Sequence, residues 1–168
     1  MTVDTRAGAR LRLRIAAYTE PAAVALVGAV QAVYLQRYGD TDITPVDPAE
    51  FAPPGGCFLV GDVDGVAVAC GGWRLRRAGA DPALRDGDIE VKRMYVADGM
   101  RGRGFARLLL AELERRAVEA GGRRVVLETG TRQPEAIALY RSSGYRPMTT
   151  FGAYRDDPLS RCFAKSLV

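Results

Sequence analysis

A strand, a short turn and a glycine-containing helix start follow one another between residues 89 and 120. Residues 89–96 have the length and the β-branched content of a strand, and from Phe105 to Ala117 apolar residues recur at helical spacing. Between them stands the run Arg101-Gly-Arg-Gly-Phe-Ala106. The unbonded N–H groups at a helix start, together with the helix dipole, form a site for phosphate oxygens, and glycines let the backbone approach the anion. The segment therefore predicts an α/β fold with an anion-binding site.

Positive charge is concentrated in the same segment. Residues 92–107 contain five cations and one anion, so their local charge of +4 equals the formal charge of the whole chain. The dinucleotide fingerprint G-x-G-x-x-G fails because Arg107 occupies the third glycine position, and no Gly-Lys-Ser/Thr is present for a Walker loop. An ordinary glycine-softened helix start with solvated arginines remains the alternative. The local concentration favours one small polyphosphate ligand over a nucleic acid.

The pattern along the rest of the chain predicts one domain. We expect a disordered leader over residues 1–10 and a single domain over residues 11–168. Strands are predicted over 11–15, 57–62, 66–76, 89–96, 124–128, 145–150 and 160–165, and helices over 21–37, 102–120 and 134–142, the first with Thr19 as its N-cap. Without a bulge, Glu90, Lys92 and Met94 would share one face of their strand. Residues 39–56 form a long loop.

The composition excludes several kinds of chemistry. The chain has no histidine, which removes Ser-His-Asp and Cys-His catalysis and histidine-ligated metals, and we expect no metal. Its three cysteines are widely spaced and form no C-x-x-C, which indicates a reduced, cytoplasmic protein. The apolar stretch from Ala22 to Leu35 is too short to cross a bilayer, so no membrane association is expected.

Two motifs resemble those of the GNAT N-acetyltransferases. The run Glu90-Val-Lys-Arg-Met-Tyr-Val96, four turn residues and Arg101–Ala106 are similar to the family's central motif, whose pattern is Gln/Arg-x-x-Gly-x-Gly/Ala. Downstream, Val125–Gly130 and Ala136–Tyr140, followed by Ser143-Gly-Tyr145, resemble its second motif. The resemblance implies a mixed, mostly antiparallel sheet of about six or seven strands flanked by helices. The central strands that bear Val96 and Glu128 would splay apart.

The resemblance also implies acetyl-CoA as the acetyl donor. Its pyrophosphate would bind to the first amides of the helix, and its pantetheine arm would pair with the preceding strand, where a bulge near Met94 could direct an N–H at the thioester carbonyl. Gln133 stands where many members have asparagine. The expected acetyl-CoA contacts are Met94, Tyr95, Val96, Arg101, Gly102, Arg103, Gly104, Phe105, Ala106, Arg107 and Gln133.

The resemblance further assigns catalytic and acceptor residues. Tyr140 corresponds to the tyrosine that faces the CoA sulfur and is predicted as the general acid; its alternative role is packing on the sheet. Glu90 is predicted as the general base, with Glu128 as the second candidate or as an amine-recognition group; either could instead form a salt bridge. Tyr34, Tyr38, the loop over residues 39–56 and Trp73 are predicted at the acceptor site, although a core position also suits Trp73.

The predicted function is transfer of acetyl from acetyl-CoA to a primary amine of a small molecule in a ternary complex. The alternatives are acetylation of protein N-termini or lysines, and a non-catalytic acyl-CoA-binding sensor. A nucleic acid partner is not expected. A homodimer through the last strands is common in such folds.

Overall fold

A computed structural model describes residues 2–4, 10–79 and 81–168. Its centre is a single mixed sheet of eight strands in the order β1-β2-β3-β4-β5-β6-β8-β7. The strands are β1 (Thr2–Asp4), β2 (Arg10–Ile15), β3 (Gly56–Val63), β4 (Val66–Leu75), β5 (Asp88–Val96), β6 (Arg124–Gly130), β7 (Arg146–Met148) and β8 (Ser160–Ser166). Three α-helices accompany them: α1 (Pro21–Tyr38), α2 (Phe105–Glu119) and α3 (Pro134–Ser142).

This architecture confirms the predicted mixed, mostly antiparallel sheet flanked by helices. The expected six or seven strands become eight because the three-residue β1 pairs with β2 inside the segment predicted as a leader. The rest of that leader, residues 1 and 5–9, lies outside the described residues. No helix in the described part of the chain has the length and apolar character needed to cross a membrane.

The helices cover both faces of the sheet. Leu109 and Leu113 of α2 belong to the main core with β3, β5 and β6, and α3 packs on the same cluster. Ala23 and Leu26 of α1 lie in a second cluster with Phe58 of β3. Each helix therefore buries one apolar stripe against the sheet.

The central parallel pair is joined over only half of its length. The β5–β6 ladder runs from Asp88 opposite Arg124 to Val91 opposite Leu127 and ends there. Both strands continue beyond this point, β5 to Val96 and β6 to Gly130. The expected splay between the strands that bear Val96 and Glu128 is therefore present.

A β-bulge lies where the two strands separate. Cys70 pairs with Tyr95 and Gly72 with Lys92, so two residues of β5, Arg93 and Met94, lie opposite the single residue Gly71. Arg93 adopts a left-handed backbone conformation with φ of 60°, which a residue with a side chain rarely adopts.

The bulge changes which β5 side chains lie on the same face of the sheet. Glu90 and Lys92 face the α1 side, but Met94 packs against the α2 core. Arg93 turns to the α1 side, where it forms an ion pair with Asp42. The shared face of Glu90, Lys92 and Met94 was predicted only for a strand without a bulge, and the bulge that the resemblance implies near Met94 is present, so the three side chains do not share a face.

The remaining differences are at element ends. The helix predicted over 102–120 begins at Phe105 because Gly102 and Gly104 both have positive φ angles. The first helix has Glu20, without a side-chain capping bond, in place of Thr19 as its N-cap. Because α2 begins at Phe105, residues 101–104 form a turn ahead of the helix, and this is the turn predicted to bind an anion.

Candidate active site

The turn before α2 presents unbonded N–H groups. Gly104 is the N-cap of α2 and has φ of 83°, and Gly102 has φ of 75°. The first intrahelical bond runs from Leu108 N to Gly104 O at 3.1 Å, so the N–H groups of residues 105–107 have no partner within the helix. Together with the positive end of the helix dipole they are suited to bind an anion.

Two arginines frame this turn. Arg101 donates from Nε to Val96 O at 3.1 Å, which ties the turn to the end of β5. Arg107 donates to the hydroxyls of Ser142 and Ser143, at 2.8 and 3.1 Å. The second contact links the start of α2 to the end of α3, so the anion site is braced from both sides.

A cavity of about 290 Å³ leads from this turn to the splayed strands. Its lining brings together ten of the eleven residues predicted to contact acetyl-CoA, namely Met94, Tyr95, Val96, Arg101, Gly102, Gly104, Phe105, Ala106, Arg107 and Gln133. Arg103, the eleventh, does not line it. Val30 and Val33 of α1 also line it, and the sequence offered no motif for them. We call this space the donor cavity.

Tyr140 lies at the inner end of the donor cavity. It is 7% exposed and packs edge-on against Tyr145, with ring centroids 5.7 Å apart. Its hydroxyl points at Met94 Sδ, 4.0 Å away, at the bulge. Burial raises the pKa of Tyr140 to about 12, so the hydroxyl keeps its proton at neutral pH.

A second cavity of about 300 Å³ adjoins the splay on the α1 side. It is lined by Tyr34, Tyr38, Asp40, Thr41, Asp42, Val91, Lys92, Arg93, Glu128, Thr129, Gly130, Gln133, Tyr154, Asp157, Leu159 and Ser160. Gln133, the N-cap residue of α3, lines both cavities. We call this second space the acceptor cavity, and Gln133 places it next to the donor cavity.

Glu128 is the carboxylate that the splay exposes to the acceptor cavity. It follows the last β6 residue paired with β5, and its carboxylate forms no hydrogen bond within the described chain. Burial raises the pKa of Glu128, the Lys92 charge lowers it and the Asp42 charge raises it, and together these effects bring the pKa to about 7. A carboxylate that titrates near neutrality is suited to accept a proton.

Glu90, the predicted base, is buried in an ion-pair network and lines neither cavity. Arg74 Nε donates to its Oε2 at 2.8 Å, and Arg76 and Lys92 lie 3.5 and 3.8 Å from its carboxylate. Arg74, only 3% exposed, also bonds Glu50 at 2.6 Å. The structure therefore gives Glu90 a structural partner that sequence alone did not reveal.

Replacing Glu90 with glutamine should destabilise the protein by about 1–3 kcal/mol, because the buried Arg74 loses a charged partner. The ionisation of Glu128 should remain in the pH–rate profile and move to lower pH, because the Glu90 charge raises the pKa of Glu128. Urea unfolding of both proteins and a pH–rate profile measure the two effects. Complete loss of that ionisation in this variant would return the base role to Glu90.

Of the aromatic residues predicted at the acceptor site, Tyr34 and Tyr38 line the acceptor cavity and Trp73 lies in the core. Tyr34 lines the acceptor cavity, where burial raises its pKa, and both Tyr140 and Glu128 act on it electrostatically. Trp73 is 2% exposed in the main core and lines neither cavity. The structure therefore gives Trp73 the core position that the sequence also allowed, with no contact to the acceptor cavity.

The 39–56 loop reaches the acceptor cavity through Asp42, whereas Tyr154 and Asp157 were not singled out from the sequence. Asp42 bonds Arg93 and lies 3.4 Å from Lys92 Nζ. Tyr154 and Asp157 come from the segment before β8, which reaches the cavity because β8 lies beside β6. Their only sequence signal is polarity in a loop, and strand order was needed to bring them here.

Comparison with known proteins agrees with this arrangement. The Acetyltransferase (GNAT) family model matches residues 24–145. The chain is 38% identical over 122 residues to an IAA acetyltransferase of Azospirillum brasilense, covering 73% of this chain and 75% of that one. Several other curated relatives are longer proteins, of which the chain spans less than half.

Solved structures show the same fold. A Klebsiella pneumoniae protein described as a candidate acyl-CoA N-acyltransferase superposes with a TM-score of 0.76 at 30% identity, covering 94% of this chain and 98% of that chain. The Salmonella typhimurium protein yncA, solved with acetyl-CoA, gives a TM-score of 0.69 at 20% identity, with 94% of each chain covered.

Proposed function

Because this chain belongs to the GNAT acetyltransferase family, we propose that it transfers the acetyl group of acetyl-CoA directly to a primary amine of a small molecule. The observation that carries the proposal is the adjacency of two cavities where β5 and β6 separate. One side offers an anion site and a tyrosine hydroxyl, and the other offers a carboxylate that titrates near neutrality. A donor and an acceptor can therefore meet without a covalent enzyme intermediate.

The donor cavity suits acetyl-CoA in charge and in backbone chemistry. The pyrophosphate would accept from the N–H groups that open α2, beside Arg101 and Arg107. Beyond Val91, the β5 edge that faces β6 has no strand partner. An extended pantetheine arm, which has amide groups of its own, can therefore pair there as an added strand.

The proposed transfer conserves atoms and protons. The amine nitrogen attacks the thioester carbonyl carbon, the C–N bond forms and the C–S bond breaks. Tyr140 donates its proton to the departing sulfur, and Glu128 accepts the proton that the nitrogen loses, directly or through water. Solvent then restores both groups to their starting states.

The walls of the acceptor cavity favour a small molecule over a polypeptide. Ile43 N donates to the Tyr154 hydroxyl at 2.7 Å, which joins the loop after α1 to the segment before β8. Arg37 and Arg132 each donate to the other's backbone carbonyl, at 3.0 and 2.8 Å. These bonds join the walls of a cavity of about 300 Å³, which fits a compact amine better than the terminus or a lysine side chain of a polypeptide. The relative named an IAA acetyltransferase also supports a small-molecule acceptor.

Release of free CoA thiol tests the proposal. The protein is incubated with acetyl-CoA and a panel of small primary amines, lysine-containing peptides and peptides with free N-termini. We expect thiol release that depends on a small amine. Release only with peptides would support protein acetylation instead. Tight acetyl-CoA binding with no release for any acceptor would support the sensor function.

The variant Glu128→Gln tests the proposed base. We expect kcat/KM at pH 8 to fall at least ~10-fold and the ionisation near pH 7 to vanish from the profile, because the deprotonated carboxylate works above its pKa of about 7. A profile that keeps this ionisation would remove Glu128 from the proton path. The Glu90→Gln variant is the matched control.

The same variant should gain stability. A carboxyl pKa raised by folding means that wild-type stability falls as the pH rises from about 4.5 through about 7. Glutamine does not titrate, so Glu128→Gln should be more stable than wild type by about 1–3 kcal/mol at pH 8, with the gain absent at pH 4. Urea unfolding at the two pH values measures the difference.

We also propose a reducing, cytoplasmic location. Cys57, Cys70 and Cys162 are all free thiols and buried in separate parts of the core.

Burial raises the pKa of Cys70 to about 12, which makes it unreactive and argues against an acetyl-cysteine intermediate.

A further inference from the structure

The acceptor cavity holds unbalanced negative charge. Asp40, Glu128 and Asp157 line it, and none of the three forms an ion pair with a cation of residues 10–79 or 81–168. Its two cations, Lys92 and Arg93, both face Asp42. The whole chain carries a formal charge of +4, so this negative cavity runs against the composition.

A buried hydroxyl that lines the cavity accepts no hydrogen bond. Ser160 is 5% exposed, and its Oγ has no hydrogen-bond partner of full geometry among the described residues, although it lies near enough to the Cys162 thiol to lower the pKa of that group. Ser160 N donates to Asp157 O at 3.0 Å, so the hydroxyl and the Asp157 carboxylate belong to one turn. Unused acceptor capacity on a buried hydroxyl is costly, and a ligand with N–H groups would satisfy it.

The two rim aspartates are held in place by the backbone. Thr41 N donates to Asp40 Oδ1 at 2.7 Å, and Leu159 N donates to Asp157 Oδ1 at 2.8 Å. Each bond uses one carboxylate oxygen and leaves the other available. The rings of Tyr34 and Tyr154 line the space between, where they can cover a short aliphatic chain or face a cation.

We propose that the acceptor is a small diamine, whose second, unreacted amino group binds as an ammonium at Asp157, Ser160 and Asp40. The reacting amine lies at Glu128, beside the splay. This inference rests on the proposed function and narrows its substrate class. An ammonium gains carboxylate contacts at the rim, whereas an acceptor with a carboxylate at the same place meets like charge.

Three amines of equal carbon chain test the proposal: diaminobutane, butylamine and aminobutyrate. Their fourth carbon carries an ammonium in 1,4-diaminobutane, is a methyl in butylamine and is a carboxylate in 4-aminobutyrate. We expect kcat/KM for thiol release to fall in that order, with diaminobutane preferred over butylamine by at least ~10-fold. Equal or better activity with butylamine or aminobutyrate would overturn the diamine inference and leave the acetyl transfer itself intact.

Two variants locate the ammonium. Asp157→Asn and Asp40→Asn keep an oxygen for their backbone donors and remove the charge, so each should lower the diaminobutane-to-butylamine ratio of kcat/KM several-fold. The ratio is the readout because Asp157 also acts on the pKa of Glu128, so its loss can change the rate with both amines. Asp156→Asn is the matched control, because Asp156 is exposed and lines neither cavity. A ratio that survives both substitutions would overturn the inference. Calorimetry measures acetyl-CoA binding separately. Absence of that binding in the wild type would reject the proposed function instead.

Discussion

Replacing Gly104 with glutamate is expected to abolish acetyl-CoA binding, which we expect at micromolar concentration in the wild type. Gly104 has φ of 83° at the N-cap of α2, so any side chain there strains the backbone, and a carboxylate adds negative charge where the pyrophosphate should bind. Titration calorimetry with acetyl-CoA measures the loss. We expect affinity to fall at least ~100-fold, since the repulsion replaces a charge-assisted contact.

Two controls separate charge from strain. Gly104→Ala carries the strain without the charge, and its Cβ would meet no atom within 4 Å, so it should bind acetyl-CoA with a modest loss. Gly99→Glu adds the same carboxylate at an exposed position that lies outside the donor cavity and has no positive φ, and it should bind almost normally. Normal binding by Gly104→Glu would remove the anion site from this turn.

Replacing Tyr140 with phenylalanine is expected to lower kcat by roughly 100-fold, the usual range for loss of a general acid. The ring packing against Tyr145 and Phe163 should survive, because only the hydroxyl is removed. Acetyl-CoA affinity should therefore change little. Initial rates of thiol release, together with calorimetry, distinguish the loss of chemistry from a loss of binding.

Tyr145→Phe is the matched control for this variant. The Tyr145 hydroxyl donates to Glu114 at 2.9 Å, away from the splay, and Tyr145 lines neither cavity. Its loss should cost about 1 kcal/mol of stability and leave kcat nearly unchanged. An unchanged kcat in Tyr140→Phe, or equal losses in the two variants, would contradict the acid role of Tyr140.

The sequence was most informative where the chemistry depends on the backbone. The glycines of the 101–106 turn and the apolar stripe of α2 predict an anion site, and ten of the eleven expected donor contacts line one cavity. Local spacing suffices there, because a helix start and the strand before it are contiguous in the chain. The splay beyond Val91 was also predicted, through the family resemblance.

The sequence alone does not distinguish the two candidate carboxylates. Glu90 and Glu128 look alike as strand glutamates, and only the cross-strand position of Arg74 shows that Glu90 is already bound. The bulge at Arg93 similarly changes which side chains share a face, and nothing in local alternation reveals it. Long-range pairing therefore decided the roles of these residues.

The acceptor side was the least predictable part. Asp40 and Asp42 lie in the loop after α1, whereas Asp157 and Ser160 lie more than a hundred residues later. They share a cavity because β8 inserts between β6 and β7. A single sequence gives no reason to group them, so the charge of the cavity emerged only from the fold.

Direct transfer between the two cavities is tested most directly by initial-velocity kinetics. Thiol release is measured while acetyl-CoA is varied at several fixed concentrations of an amine that supports turnover. Double-reciprocal lines that intersect are predicted, because donor and acceptor must occupy their cavities together before the C–N bond forms. Parallel lines, which indicate that CoA leaves before the amine binds and that the enzyme carries the acetyl group, would contradict the account.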